Sequence, residues 1–108
     1  MKYNYAEYAL LFKALSDETR LKIVDMLSCG ELCACDILEP FNITQPTLSY
    51  HMKTLTESGL VKSRKDGSWI RYSNNLVLVT AIKQFWDLIT TEQEDCICKD
   101  TKEDVKCD

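Results

Sequence analysis

Between Asn42 and Gly59 the chain encloses one short helix between a start signal and a stop signal. Leu48, Met52 and Leu55 recur at i, i+4 and i+7, the spacing that lines up side chains on one helical face. Thr44 can accept from free backbone N–H groups as an N-cap. Pro46 lies in the first turn, where its missing donor is harmless, and Gly59 suits the end. The outward residues Gln45, Thr47, Ser49, Tyr50, Lys53 and Thr54 supply amide, hydroxyl and ammonium groups of the kind that meet base edges and phosphates. A merely solvated face would carry the same pattern, so the helix alone does not decide its use.

The next segment narrows the choice. Leu60–Tyr72 reads as two β-prone runs joined across Asp66-Gly67, a strong two-residue hairpin signal. A basic hairpin directly after an amphipathic helix predicts a winged helix-turn-helix, mainly α with a small β-hairpin wing. The helix would enter the major groove of double-stranded DNA, with Arg64, Lys65 and Arg71 of the wing on the flanking backbone. His51, the one histidine, is read as structural or phosphate-contacting rather than as a metal ligand.

The formal charge of −4 runs against DNA binding until its distribution is considered. Seven acids and three lysines fall between Glu92 and Asp108, which leaves the first 91 residues neutral. Thr44–Ser73 carries net +3, so the proposed DNA face is locally basic. We therefore expect residues 1–91 to form a DNA-binding and dimerisation domain, and residues 92–108 a mobile, acidic, cysteine-containing tail. No apolar run is long enough to span a bilayer and Met1–Tyr5 lacks a signal-peptide core, so the expected location is cytoplasmic, with no membrane partner.

Upstream, Tyr5, Tyr8, Leu11, Phe12 and Leu15 predict a first helix. Ser16, Asp17 and Glu18 open a second that runs to Ser28, with Gly30 as its stop. Glu31–Phe41 reads as a short helix bounded by Pro40. Leu78, Ile82, Phe85 and Ile89 mark a last helix over about Leu76–Thr91, widened by Val79 and Trp86. The first and last helices carry more apolar surface than a small winged core can cover. Pairing of two protomers through them would cover it and set two recognition helices against an inverted repeat.

Six cysteines in a chain with a sufficient core and no sign of an oxidising compartment suggest ligand or sensor chemistry rather than a disulfide framework. Cys-x-Cys occurs at 33/35 and again at 96/98. On a helix, residues at i and i+2 project about 200° apart, so Cys33 and Cys35 would have to unwind their helix to hold one ion. Thiolates select soft ions, zinc-group metals, copper(I), and by the same argument trivalent arsenic and antimony.

Four stretches in order resemble the ArsR/SmtB winged-helix metalloregulatory repressors, and within them the arsenic-responsive branch. They are Ala14–Leu21, Glu31–Asp36 (Glu-Leu-Cys-Ala-Cys-Asp), Thr44–His51, and the wing Arg64–Trp69. The resemblance spans roughly residues 8 to 90. It implies a homodimer that represses its own resistance operon and leaves operator DNA when As(III) or Sb(III) binds Cys33 and Cys35. Where that pattern places a third cysteine, three residues after the second, this chain has Leu38. Cys29, Cys96, Cys98 and Cys107 are the candidate further ligands. The resemblance also leaves room for a Cd(II)/Pb(II) sensor or for a sensor of trivalent organoarsenicals. The zinc-sensing pattern on the last helix is unmatched, since Leu76–Thr91 has no histidine.

Two other readings are weaker. A thiol redox enzyme would call for Cys-x-x-Cys spacing and strand-helix alternation, neither of which is found; the chain is not expected to be an enzyme. A constitutive DNA-binding protein with inert thiols would bind its operator whether or not metal is present.

Overall fold

The computed structural model describes residues 2–92. The expectations for Cys96, Cys98, Cys107 and the acidic tail therefore lie outside the described residues. Among the described residues, five helices and one small sheet are arranged in the order α1 (Tyr5–Leu15), α2 (Glu18–Leu27), β1 (Leu32–Cys33), α3 (Ala34–Leu38), α4 (Gln45–Ser58), β2 (Val61–Asp66), β3 (Trp69–Asn74) and α5 (Leu76–Thr90). This is the mainly α winged helix-turn-helix that the pattern predicts.

Local chemistry sets the helix ends. Asn4, Asp17, Thr44 and Asn75 each cap a helix by accepting from a backbone N–H three residues on. Gly59 ends α4 at φ 88°, a left-handed conformation that suits glycine, and Pro46 sits in the first turn of the same helix. The apolar stripe of α4 is the one the spacing marks: Leu48, Met52 and Leu55 are buried, together with Ile23 and Leu27 of α2, Ile37 of α3 and Val61 of β2.

The α2–α4 packing carries a polar tie. Arg20 of α2 donates to Ala14 O at 2.6 Å and to His51 Nδ1 of α4 at 3.0 Å; a guanidinium can only donate, so the ring nitrogen accepts. Asp17 Oδ2 lies 3.8 Å from the same nitrogen. Phe85 of α5 stacks on Tyr8 of α1 at 4.0 Å between ring centroids, and Phe12 meets Trp86 edge-on. These rings join the first helix to the last.

Two local expectations change. Glu31–Phe41 is not one helix: Leu32 and Cys33 are extended and pair with β3, and the helix starts only at Ala34. The sheet accordingly has three strands in the order β1-β3-β2, all antiparallel. The hairpin turn also lies one residue later than Asp66-Gly67. Asp66 pairs with Trp69, leaving Gly67 and Ser68 as the loop, and Gly67 takes φ 65° at its first position.

Asp17 gives a stability test. The hydrogen bond from Arg20 N, reinforced by the Arg20 charge and opposed by partial burial, holds its carboxyl below the ordinary carboxylate range. Its contribution is therefore complete above that range and is lost as pH falls through the lowered value. Asp17→Ala should cost about 1 kcal/mol in thermal unfolding at neutral pH. Asp17→Asn should retain much of the cap while making the acid limb of the stability profile shallower.

Candidate functional site

Cys33 is both the last residue of β1 and the N-cap of α3, with φ −86° and ψ 165°. That extended conformation overturns the expectation that the two thiols diverge and must unwind a helix to meet. The chain bends between Cys33 and Cys35, and their Sγ atoms lie 2.6 Å apart as free thiols. Cys33 is buried, at 7% exposure, whereas Cys35 is exposed.

Asp36, at the third position of α3, reaches back to this pair. Its Oδ2 accepts from Cys33 Sγ at 3.0 Å and from Cys33 N at 3.4 Å. The contact with Cys35 and then that with the Asp36 carboxylate push the Cys33 thiol up from its ordinary range. Conversely, the Cys33 hydrogen bonds hold Asp36 below the ordinary carboxylate range. The donor atoms of Cys33, Cys35 and Asp36 all lie within 4.8 Å of one another, close enough to share one ion. Two sulfurs and one carboxylate favour a soft ion that tolerates one oxygen. Cys29, exposed just past α2, does not belong to this cluster.

The cluster is wired to the wing. Leu32 pairs with Tyr72 and Cys33 with Arg71 across the β1–β3 ladder. Next to them, Glu31 takes the Arg64 guanidinium in a fork, with Nε at 2.8 Å and Nη2 at 2.6 Å, which lowers the Glu31 pKa and raises that of Arg64. Arg71 Nε donates to Asp66 Oδ2 at 2.8 Å.

These pairs divide the basic residues expected on DNA into two groups. Arg64 and Arg71 are held by acids, and Lys53 lies 4.0 Å from Glu57, whereas Lys62 and Lys65 have no ion-pair partner among the described residues. Gln45, Thr47, Ser49, Tyr50 and Lys53 are exposed on one side of α4. His51 is not with them; it turns inward to Arg20, and its side chain is 11% exposed. The sequence held a signal for this, since His51 falls three residues after Leu48, inside the apolar stripe. Asp36 also sits at the capping-box distance from Cys33. Glu31 gave no such signal, because its partner is 33 residues away.

Residues 17–63 match the profile of the bacterial regulatory protein arsR family. An arsenical resistance operon repressor of Staphylococcus aureus is 48% identical over 99 residues, which are 92% of this chain and 95% of that protein. The chain belongs to the arsR family. Its members are transcriptional regulators rather than enzymes. Among further family relatives, a homolog of the cadmium resistance regulatory protein CadC from S. aureus is 44% identical over 73 residues, 67% of this chain and 60% of that protein. A solved ArsR-like transcriptional regulator from Rhodococcus sp. RHA1 superposes with a TM-score of 0.72 at 31% identity, over 80% of this chain and 81% of that one. This arsR-family chain thus carries its thiol pair at the joint between the sheet and the first helix of the helix-turn-helix.

Asp36→Asn tests the thiol electrostatics. It removes the negative charge that favours the protonated Cys33, so the thiol should titrate at lower pH. Alkylation of Cys33 by iodoacetamide at pH 7, followed by mass spectrometry, should then be faster than in the unaltered chain.

Proposed function

We propose that this chain is a metal-responsive transcriptional repressor that binds operator DNA as a homodimer and is released when As(III) or Sb(III) engages Cys33 and Cys35. The observation that carries this reading is the thiol pair with its carboxylate, strand-bonded to the wing and placed at the start of α3. Similarity to arsenical resistance operon repressors over nearly the whole chain supports the choice of ion.

Such an ion, when bound, supplies bonds to both sulfurs and closes a ring through them. The protein's part comes from its own geometry. Cys33 must give up the proton it shares with Asp36, and its backbone is at once the end of β1 and the cap of α3. A change in its dihedrals acts on the Leu32–Tyr72 and Cys33–Arg71 pairings, and through them on Arg64, Arg71 and the wing. Loss of wing-to-phosphate contacts lowers affinity whatever the operator sequence, since these contacts carry the salt-dependent part of binding.

The DNA face combines two roles. Lys53, Lys65, Arg64 and Arg71 serve the backbone, and Gln45, Thr47, Ser49 and Tyr50 serve base edges. Dimerisation is supported by apolar side chains left exposed on α1 and α5: Leu10 at 66%, Leu76 at 71%, Val77 at 82% and Trp86 at 57%. Two-fold pairing places the recognition helices on half-sites of an inverted repeat about one DNA turn apart. Among the described residues no helix is long and apolar enough to cross a membrane, and a reader of operator DNA works in the cytoplasm.

Cadmium or lead is the second reading, favoured by the cadmium-regulator relative and by the incomplete thiol count at the site. Cys96, Cys98 or Cys107 of the tail, or Cys29, would then add sulfurs, as they would for arsenite.

Parallel titrations of a promoter complex with arsenite, antimonite, cadmium and lead separate these effectors. Release by arsenite should vanish in Cys33→Ser plus Cys35→Ser, with DNA affinity kept; unchanged release would remove the sensing site. Truncation after Thr91 should weaken arsenite release if the tail supplies a sulfur, and should leave it intact if Cys29 or two thiols suffice.

Salt titration tests the interface. Lys65→Ala should lower the slope of log affinity against log salt by about one. Glu31→Gln, by freeing Arg64, should tighten binding at low salt, and an unchanged affinity would mean that Arg64 stays away from phosphate.

A further inference from the structure

A cavity of about 430 Å³ opens beside the thiols, between α3, α4 and the wing. Cys35 forms part of its wall. Leu38, one turn along α3, lines it with Met52, Trp69, Ile70 and Tyr72. Trp69 and Ile70 remain 55% and 43% exposed, large side chains facing a space that no part of the described chain fills. A dry cavity of about 150 Å³ is enough for a benzene ring, so this space holds one with room for linking atoms.

The wall next to Cys35 bears on what the thiols can hold. Cys33 and Cys35 offer two sulfurs, and on the Cys35 side their surroundings turn apolar at Leu38 instead of offering a further sulfur. A trivalent arsenic centre with one carbon substituent needs only two sulfurs, and that substituent has to be accommodated near them. We propose that the cavity beside Cys35 is a subsite for the aromatic substituent of a trivalent aryl-arsenical held by Cys33 and Cys35. This rests on the assignment of those thiols as the effector site and adds the part of the ligand that the cavity selects.

The bond changes balance without any redox partner. An aryl arsonous acid, R–As(OH)2, meets two thiols; two As–S bonds form, two As–OH bonds break, and each thiol proton leaves with a hydroxide as water. Arsenic stays trivalent and the As–C bond is untouched. The ring then lies against Leu38 and Trp69. Gln45 and Ser49, assigned above to base contacts, line the same cavity, so an occupant sits beside the DNA-reading face.

The test is competition of phenylarsine oxide and of methylarsonous acid against dithiothreitol for the full chain. The competitor forms the same two As–S bonds, so intrinsic arsenic–sulfur strength cancels and the preference for phenyl over methyl remains. That preference should be on the order of tenfold, the scale expected for burying most of a ring. Trp69→Ala plus Ile70→Ala, both exposed wing positions, should reduce it to about twofold or less while methyl binding holds. Equal binding of the two compounds by the unaltered chain, or an unchanged preference in the double variant, would overturn the subsite. Binding of either compound by Cys33→Ser plus Cys35→Ser, or of neither by the unaltered chain, would instead overturn the thiol assignment on which it rests.

Discussion

Two residues of strand, Leu32 and Cys33, join the thiol pair to the wing. Their pairing with Tyr72 and Arg71 brings the loop after α2 onto the wing, 38 residues downstream for Cys33. The same pairing sets Cys33 in an extended conformation, so that its thiol meets that of Cys35 across the start of α3 rather than pointing away from it. Without β1 the wing keeps only its anchorage through Val61 in the core and Asn74 on Val24 O, with no strand linking it to the thiols, and the thiols fall on opposite sides of a helix.

The electrostatics are arranged around this joint. Glu31 and Asp36 flank the thiols, and each meets a wing arginine at short or longer range: Glu31 in a fork with Arg64, Asp36 through the field of Arg71. Exposed ion pairs of this kind add little to stability. Their consequence lies in availability, since an arginine bound to a neighbouring carboxylate is withheld from a phosphate. Lys65 needs no such release. The wing therefore combines charge that is always on offer with charge that depends on the segment holding the thiols.

Much of this fold could be read from local signals. The α4 stripe of Leu48, Met52 and Leu55, its Thr44 cap and its Gly59 stop are all short-range patterns, and the structure places each where the spacing does. The hairpin was legible too, off by one residue at the turn, because Asp66 completes the ladder with Trp69. A strand of two residues has no period to detect and exists only through a distant partner, so Glu31–Phe41 reads as helix until β3 is in place. The false divergence of the thiols came from that error. His51 was half legible: its polar character suggested DNA, its position in the stripe pointed to the core, and Arg20 is what lets an imidazole sit there. The cavity beside Cys35 could not be foreseen, since its lining comes from α3, α4 and β3 together.

If the thiol pair and the wing form one unit through the β1–β3 ladder, loading the thiols has to be felt in the wing. Amide hydrogen exchange with and without arsenite measures this most directly. Protection should change in β1 and along β3 through Arg71 and Tyr72 when the thiols are loaded, with the buried core of α2 and α4 at Ile23 and Leu55 unaltered. A change confined to Cys33–Asp36, with β3 protected as before, would contradict the coupling.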